Sequence, residues 1–333
     1  MDSRYESQRA VGEAQLGGHA PLSLKESDCV EVVCLMDNSV DLLSTTRREE
    51  VKGIREWVKR LPRAPIAEHG LSMLIRVYGG SELHNLLFDA GISPRGVLFN
   101  ARRMGLDLAE VECIILSHGH YDHFGGLPAV AKAIGKENLP VILHEACFKT
   151  RGIANPDGTI RKHPKFPNEE KIKPARYVKT KEPYMIAGGH ALVTGEIPRV
   201  TFFEKGYPQH RVLEGKHWRP DPWIWDDRAL IINLKNKGLI VISGCAHSGI
   251  INTAIHAQKL TGVKTVYAII GGFHLSGRDA ESRINQTVME LKKLKPKLLA
   301  PCHCTGWRGA FAIAKEMSES FVWNSVGNLY RLA

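Results

Sequence analysis

The sequence lacks long apolar runs and a compact set of cysteines. Its longest apolar stretches, such as LIVIS and VYAII, are far shorter than the roughly 20 residues that a membrane span requires. The polar N-terminal sequence also lacks the basic-then-apolar pattern of a signal peptide. Seven cysteines, an odd number spread through 333 residues, favour reduced thiols over disulfides. We therefore expect a cytoplasmic protein that does not enter a membrane.

The length and composition are those of an ordinary globular protein, and they do not distinguish a monomer from an oligomer. With 43% hydrophobic residues, the chain of 333 residues can bury a sizeable core. No internal repeat is visible. We predict a loose N-terminal tail over 1–24 and a single domain over 25–333, with an insertion at about 149–225.

Hydrophobic patterning predicts strands first and alternating strands and helices later. The runs LSMLIRVYGG and HNLLFDAG, which are split by Gly79, Gly80 and Ser81, predict a β-hairpin. The apolar spacing over 45–61 predicts a surface helix. From residue 94 onward, helices and apolar strands alternate. This order predicts an α/β fold in which helices cover the sheets.

Basic residues are concentrated in one segment of the chain, whose formal net charge is +10. Ten lysines and arginines lie between residues 149 and 181, where four prolines interrupt the sequence. The segment is either a solvated loop or a lid over an anionic substrate, formed by Lys162, Lys165 and Lys171. The nearby Trp223, with Trp218 and Trp225, either packs or stacks on a heterocyclic substrate.

Histidines cluster where predicted strands end. The stretch ILSHGHYDHFGGL, residues 115–127, places three histidines and an aspartate directly after an apolar run, and three later strands also run into a histidine. Since the carboxyl ends of parallel strands meet at one rim of a sheet, we expect these side chains to converge. The six residues are His118, His120, His123, His247, His274 and His303. Burying six uncompensated imidazoles would be costly, which argues against a purely structural role.

Divalent metal binding is the chemistry that such a cluster favours. Neutral imidazole suits first-row metals, and Asp122 adds an oxygen ligand. His118 and His120 form one pair, and Asp122 and His123 follow as a second pair after the chain has turned. We therefore predict two divalent metal ions, with zinc favoured over manganese or iron.

The motif HGHYDH matches the pattern HxHxDH, and the chain from about residue 29 onward resembles the metallo-β-lactamase-fold hydrolase superfamily. The stretches AEHGLSMLI, LLFDAG, GEIPR, VISGCAHSGIINT, IIGGFH and CHCTG are similar to its 7,8-dihydropterin-6-methyl-4-(β-D-ribofuranosyl)aminobenzene 5'-phosphate synthase subgroup. This resemblance implies an αββα four-layer sandwich with a dinuclear metal site at the sheet edges.

The resemblance also implies roles for individual residues. It places His118 and His120 on one metal, Asp122 and His123 on the other, and His303 as the last ligand. His247 is the candidate for the remaining imidazole. Cys245 occupies the position of the bridging carboxylate and either ligates metal or packs. His274 is a candidate ligand, or it orients the substrate or acts as an acid. Asp89 is a candidate orienting group.

The expected activity is dinuclear hydrolysis of a small anionic substrate. Two metals about 3.5–4 Å apart would share a hydroxide of lowered pKa, with Asp122 orienting this nucleophile and His274 as a second catalytic candidate. Three alternatives stay open: a dihydropterin-type phosphate synthase, a nuclease of the same fold, and a redox or metal-binding protein that hydrolyses nothing. A small-molecule partner is therefore favoured over nucleic acid.

Overall fold

The computed structural model describes residues 20–46, 48–61 and 63–333. Most of the tail predicted over 1–24 lies outside these residues. Within its described part, the amide of Leu22 donates to the carbonyl oxygen of Leu260 at 2.7 Å, and Leu24 packs against the hydrophobic core.

Strands and helices are numbered here in chain order. The strands are β1 (Glu26–Ser27), β2 (Cys29–Met36), β3 (Val51–Lys52), β4 (Ser72–Gly79), β5 (Glu82–Phe88), β6 (Cys113–Ile115), β7 (Pro140–Leu143), β8 (Arg151–Ala154), β9 (Ile160–Lys162), β10 (Arg176–Lys179), β11 (Tyr184–Ile186), β12 (Ala191–Val193), β13 (His210–Glu214), β14 (His217–Pro220), β15 (Ala229–Leu234), β16 (Gly238–Ser243), β17 (Val266–Gly272), β18 (Leu298–Cys302) and β19 (Leu329–Leu332). The helices are α1 (Ile54–Trp57), α2 (Gly96–Met104), α3 (Tyr121–Phe124), α4 (Leu127–Ile134), α5 (Ile250–Thr261), α6 (Arg278–Glu281), α7 (Ile284–Leu294) and α8 (Gly306–Glu316). Across the described ranges, every helix is too short or too polar to cross a lipid bilayer.

The strands form three sheets. An eight-stranded sheet has the order β10-β7-β6-β5-β4-β2-β19-β3, and a seven-stranded sheet has the order β11-β12-β15-β16-β17-β18, with β1 beside β15. A four-stranded sheet has the order β14-β13-β8-β9. Strands β5, β6 and β7 are parallel, as are β16, β17 and β18. Each large sheet therefore has a rim at which several carboxyl ends meet.

The two large sheets pack face to face, and helices cover their outer faces. Because side chains alternate along a strand, Ile240 and Ile242 of β16 enter the core between the sheets, whereas Leu239 and Val241 face helices α5 and α7. The eight-stranded sheet packs in the same way against α2 and α4. These layers are helix, sheet, sheet and helix, so the predicted αββα sandwich is confirmed.

The predicted hairpin is present as antiparallel β4 and β5. The helix predicted over 45–61 is wrong for most of its length, because only Ile54–Trp57 is helical. Val51 instead pairs with Tyr330 of β19, which extends the sheet. A Cβ atom on Gly53 would lie 2.5 Å from the carbonyl oxygen of Ser44, so the chain makes a close backbone approach there. Strand pairing at the sheet edge therefore overrides the helical spacing.

The segment predicted as an insertion, 149–225, contributes to all three sheets. Strand β10 pairs with β7 of the eight-stranded sheet, and β12 pairs with β15 of the seven-stranded sheet. Strands β8, β9, β13 and β14 form the separate four-stranded sheet. The segment 149–225 is therefore joined to both large sheets of the sandwich and also forms the small sheet.

Candidate metal centre

The structure brings the six predicted histidines together at the carboxyl ends of the parallel strands. His118 follows β6, and His247 follows β16 of the other large sheet. His274 and His303 follow β17 and β18. Their donor atoms fall into groups within which all atoms lie within 4.8 Å of one another.

The first group consists of His118, His120 and His247. The Nε2 atom of His118 lies 2.9 Å from Nδ1 of His120, and Nε2 of His247 lies 3.0 Å from the same Nδ1. All three side chains are buried, and this burial holds the pKa of each well below its usual range. The group is therefore neutral at pH 7 and offers nitrogen lone pairs.

The second group consists of Asp122, His123, Cys245 and His303. The Nε2 atom of His123 lies 3.1 Å from Sγ of Cys245, and Nε2 of His303 lies 3.1 Å from Oδ2 of Asp122. Burial alone would raise the pKa of Asp122, but the charges of His123 and His303 hold it well below its usual range. Nitrogen, sulfur and oxygen donors thus face one another in this group.

Asp89 orients His123. Its Oδ2 atom accepts a hydrogen bond from Nδ1 of His123 at 2.7 Å, which leaves Nε2 of that ring directed at Cys245. Burial opposes the imidazolium form of His123, but the charges of Asp89 and Asp122 outweigh burial and raise its pKa to about 9. This contact is the arrangement by which carboxylates orient metal-binding histidines.

His303 is oriented by the turn that follows β2. Its backbone amide donates to Oδ1 of Asp37 at 2.9 Å, and its Nδ1 lies 3.1 Å from Oδ1 of Asn38. Neither residue could be identified as part of the site from the sequence, because an Asp-Asn pair after a strand is equally typical of an ordinary turn. Only the tertiary fold brings residues 37 and 38 beside residue 303.

The hydrogen-bond network assigns the proton positions in the first group. The hydroxyl of Ser117 donates to Oδ2 of Asp89, so its oxygen accepts from Nδ1 of His118 at 2.9 Å. Nδ1 of His210 donates to the carbonyl oxygen of Asp221, so its Nε2 accepts from Nε2 of His120 at 3.0 Å. With protons on these outer nitrogens, Nε2 of His118 and Nδ1 of His120 are left as facing lone pairs. Lone pairs at 2.9 Å repel each other unless a cation or a proton lies between them. The donor set therefore fits a divalent metal ion.

Cys245 links the two groups. Its sulfur belongs to the second group and also lies within 4.8 Å of the donor atoms of His247 and His274. The ring centroid of His274 lies 4.2 Å from that of His247, and His274 is half-buried at the edge of a cleft. The sulfur of Cys245 therefore lies close to the donor atoms of the second group and to those of His247 and His274.

Two further histidines lie beside the first group, His210 at the start of β13 and His163 directly after β9. His210 of β13 contacts His120, and the ring centroid of His163 lies 5.3 Å from that of His120. His120, His163 and His210 form a further group of close donor atoms. The lysines of this segment drew attention by their number, whereas two isolated histidines in irregular sequence carried no spacing signal.

A buried ion pair fastens the same sheet to the HxHxDH loop. Arg151 of β8 donates through Nη1 to Oδ2 of Asp226 at 2.7 Å, and this oxygen also accepts the amide of Gly119 at 2.7 Å. Gly119 separates His118 from His120, so the ion pair fixes the backbone between two candidate ligands. Burial would raise the pKa of Asp226, but the charge of Arg151 holds it well below its usual range.

The residues predicted to form a lid lie on the outer surface of this segment. Lys162 ends β9, Lys165 follows it, and Lys171 lies in a 3₁₀ turn, and all three are exposed. The ring of Trp223 packs against Gly206, where an added Cβ atom would lie 3.4 Å from the ring. Their role toward a substrate stays a prediction.

Left-handed backbone recurs at these strand ends. Asp89, Ala246, His274 and His303 have φ values of 58°, 51°, 44° and 51°, the left-handed region that non-glycine residues rarely adopt. Such conformations cost on the order of 1–3 kcal/mol each and persist where the surroundings enforce them. Their placement here is typical of a functional site.

The chain is similar to known proteins over most of its length. The model of the metallo-β-lactamase superfamily matches residues 66–254. A 7,8-dihydropterin-6-methyl-4-(β-D-ribofuranosyl)-aminobenzene-5'-phosphate synthase of Methanocaldococcus jannaschii is 35% identical over 262 residues, which cover 77% of this chain and 87% of that protein. An uncharacterized protein of the same organism is 32% identical over 263 residues, which cover 79% of this chain and 93% of that protein.

The fold has a solved counterpart. The crystal structure of a metal-dependent hydrolase of the β-lactamase superfamily matches with a TM-score of 0.67 and 24% identity, and the match covers 91% of this chain and 98% of that one. The chain therefore belongs to the metallo-β-lactamase superfamily, an enzyme family, as its HxHxDH motif predicts. Within this superfamily it is similar to the phosphate synthase of M. jannaschii.

Proposed function

We propose that the protein is a two-metal enzyme that hydrolyses a small anionic substrate. The observation that carries this proposal is the pair of adjacent donor groups, one of three histidines and one of Asp122, His123, Cys245 and His303. Imidazole, thiolate and carboxylate donors together suit zinc, with manganese and iron as the alternatives. Two divalent ions bound there would supply Lewis-acid polarisation of a carbonyl or phosphoryl oxygen and a lowered pKa for water.

Asp122 is suited to orient the attacking water. Its side chain is 20% exposed, whereas His123 and His303 beside it are fully buried. Its carboxylate is ionised, so it accepts a hydrogen bond from a water molecule and directs the oxygen lone pair at the substrate. Nε2 of the exposed His69 lies 3.7 Å from Oδ2 of Asp122, which marks the solvent side of the site.

His274 is suited to contact the substrate. It is half-buried, packs against His247 and lines the adjoining cleft. Its Nδ1 atom is buried and has no hydrogen-bond partner among the residues that the structure describes. In the hydrolytic role, this imidazole orients the substrate or gives a proton to the leaving group.

A phosphate synthase is the second candidate, favoured by the 35% identity to the synthase of M. jannaschii. In that role metal ions bound by the same side chains would hold a pyrophosphate or a carboxylate while a carbon–carbon or carbon–nitrogen bond forms. The two candidates share the donor groups and differ in whether water is a reactant.

Metal analysis combined with an activity screen tests the proposal. We expect about two transition-metal ions per chain after metal-supplemented expression, and turnover of one of a phosphodiester, lactone, thioester or β-lactam substrate. Condensation of a dihydropterin activated as its 6-methyl pyrophosphate with an aminobenzene ribofuranosyl phosphate, with release of pyrophosphate and without hydrolysis of any of these substrates, would establish the synthase. A purified protein with no more than a trace of bound metal would overturn both the hydrolase and the synthase candidates. Single-stranded RNA belongs in the screen because of the net charge of +10, and a salt-dependent shift followed by cleavage would indicate a nuclease.

A further inference from the structure

A cleft of about 440 Å³ opens beside the histidine groups. Residues 203–209 form one side and residues 274–283 the other. His274 connects the cleft to the first group, since its ring lies 4.2 Å from that of His247. Nη2 of Arg283 donates to the carbonyl oxygen of His274 at 3.0 Å, which fixes this backbone. The volume is that of a small-molecule site.

Positive charge dominates the lining of the cleft. Lys205, Arg278 and Arg283 face a single acidic residue, Asp279, whose Oδ2 accepts a hydrogen bond from the side chain of Gln209. Arg278 is exposed, and its guanidinium forms no hydrogen bond or ion pair with any residue that the structure describes. Because a guanidinium matches the planar geometry of an oxyanion, Arg278 is available to bind a phosphate or a carboxylate.

Tyr207 supplies an aromatic wall between the cleft and the histidines. Its ring centroid lies 5.2 Å from that of His274 in an edge-on arrangement and 6.2 Å from that of His247 in a parallel one. Tyr207 is half-buried, so part of its surface lines the cleft. An apolar or aromatic part of a ligand would pack here, between the cations of the cleft and the donor groups.

We propose that this cleft binds the substrate as an organic oxyanion, with its phosphate or carboxylate at Arg278 and its ring against Tyr207. The inference rests on the proposed function, because it places the reacting end of the substrate at His274. It also places the specificity of the enzyme in the 274–283 segment, outside the lysines of the predicted lid. A phosphate group and a carboxylate group of the substrate would both bind to Arg278 through charge and hydrogen bonds.

Binding of simple aromatic anions to the metal-loaded protein tests the inference. Phenyl phosphate and benzoate are titrated calorimetrically against the wild type, Arg278→Gln, Tyr207→Leu and the control variant Arg102→Gln, which changes an exposed arginine of α2. Uncharged phenol is a further ligand. We expect Arg278→Gln to weaken the binding of one of the anions about tenfold and to leave the binding of phenol unchanged. Tyr207→Leu should weaken the binding of the anions and of phenol alike. The affinities of Arg102→Gln should stay within about twofold of the wild type.

The outcomes separate this inference from the proposed function. If neither anion binds the wild type, or if Arg278→Gln and Arg102→Gln have equal effects, the cleft is not the anion site. Loss of metal in Arg278→Gln would also overturn the inference, because the residue would then act through the histidine groups. Metal content and turnover, measured on the same samples, test the proposed function on their own. The stronger of the two anions identifies the phosphate or the carboxylate as the group bound.

Discussion

The Nε2 atoms of His120 and His210 lie 3.0 Å apart, which joins the HxHxDH loop to the small sheet. On its other side, Nδ1 of His210 lies 2.9 Å from the carbonyl oxygen of Asp221, so this nitrogen carries a proton. Nε2 of His210 is therefore the acceptor and His120 the donor. This contact leaves Nδ1 of His120 free to bind a metal and fixes the orientation of its ring.

His210→Ala should therefore weaken metal binding without removing a predicted ligand. Loss of such a supporting partner typically costs about 10- to 100-fold in metal affinity, and we expect a decrease in that range in competition with a chelator. His210→Gln, whose amide oxygen accepts the same hydrogen bond, should recover part of the affinity. His217→Ala, at an exposed position of the same sheet, is the matched control. Equal affinities for His210→Ala and the wild type would show that the contact is incidental.

Asp122→Ala should separate catalysis from metal binding. Removing the carboxylate that orients water should lower kcat by about 10²- to 10⁴-fold on the best substrate found, while His118, His120 and His247 still hold one ion. His303→Ala should lower metal content and rate together, because it removes a predicted ligand. The measurements are turnover and metal content for both variants. Near-full activity of Asp122→Ala would contradict the hydrolytic assignment.

Cys245 either ligates metal or packs, and cobalt substitution distinguishes the two. Its Sγ lies 3.1 Å from Nε2 of His123, and burial raises the pKa of the thiol, so ligation requires metal-assisted loss of its proton. If Cys245 is a ligand, the cobalt-loaded protein should show a thiolate-to-cobalt charge-transfer band that Cys245→Ser lacks. Cys304→Ser, which removes a neighbouring buried thiol, should keep the band. A spectrum unchanged by Cys245→Ser would assign the residue to packing.

The sandwich could be predicted from the sequence because its strands are continuous apolar runs. LIVIS and VYAII could be read as buried parallel strands, and the histidines that follow them could therefore be placed at one rim. Spacing within HxHxDH further indicated two pairs of ligands. The prediction failed over 45–61, where pairing of Val51 with Tyr330 depends on residues almost 280 positions apart in the sequence.

The supporting residues of the site could not be predicted for a related reason. Asn38, His210 and Asp226 contact the loop or the strand ends only after three sheets have assembled. No short-range spacing connects them to the residues that they orient. The exposed position of Lys162 fits both alternatives that the sequence left open, a solvated loop and a lid.

Glu204 should make the stability of the protein depend on pH. Its buried carboxylate accepts hydrogen bonds from the amides of Ile251 and Asn252 at 2.9 and 2.8 Å, at the start of α5. Burial outweighs these bonds and raises its pKa from 4.5 to about 6. Because the folded state binds the proton more tightly than the unfolded state, protonated Glu204 contributes to the free energy of unfolding, and this contribution is fully present below pH 4.5. The contribution is lost as the pH rises through 6, by about 2 kcal/mol in total.

Glu204→Gln removes this titration. The difference in unfolding free energy between the wild type and Glu204→Gln should therefore shift against the wild type by about 2 kcal/mol between pH 4.5 and pH 7.5, or a few degrees in Tm. Protonation of the histidine groups affects both proteins alike and cancels in the difference. Glu316→Gln, at an exposed position at the end of α8, should not reproduce this change, because Lys292 lowers the pKa of Glu316 and a lowered pKa shifts the difference in the opposite direction. Urea titrations across this pH range measure the effect, and parallel pH profiles for the wild type and Glu204→Gln would show that folding does not raise the pKa of this carboxyl.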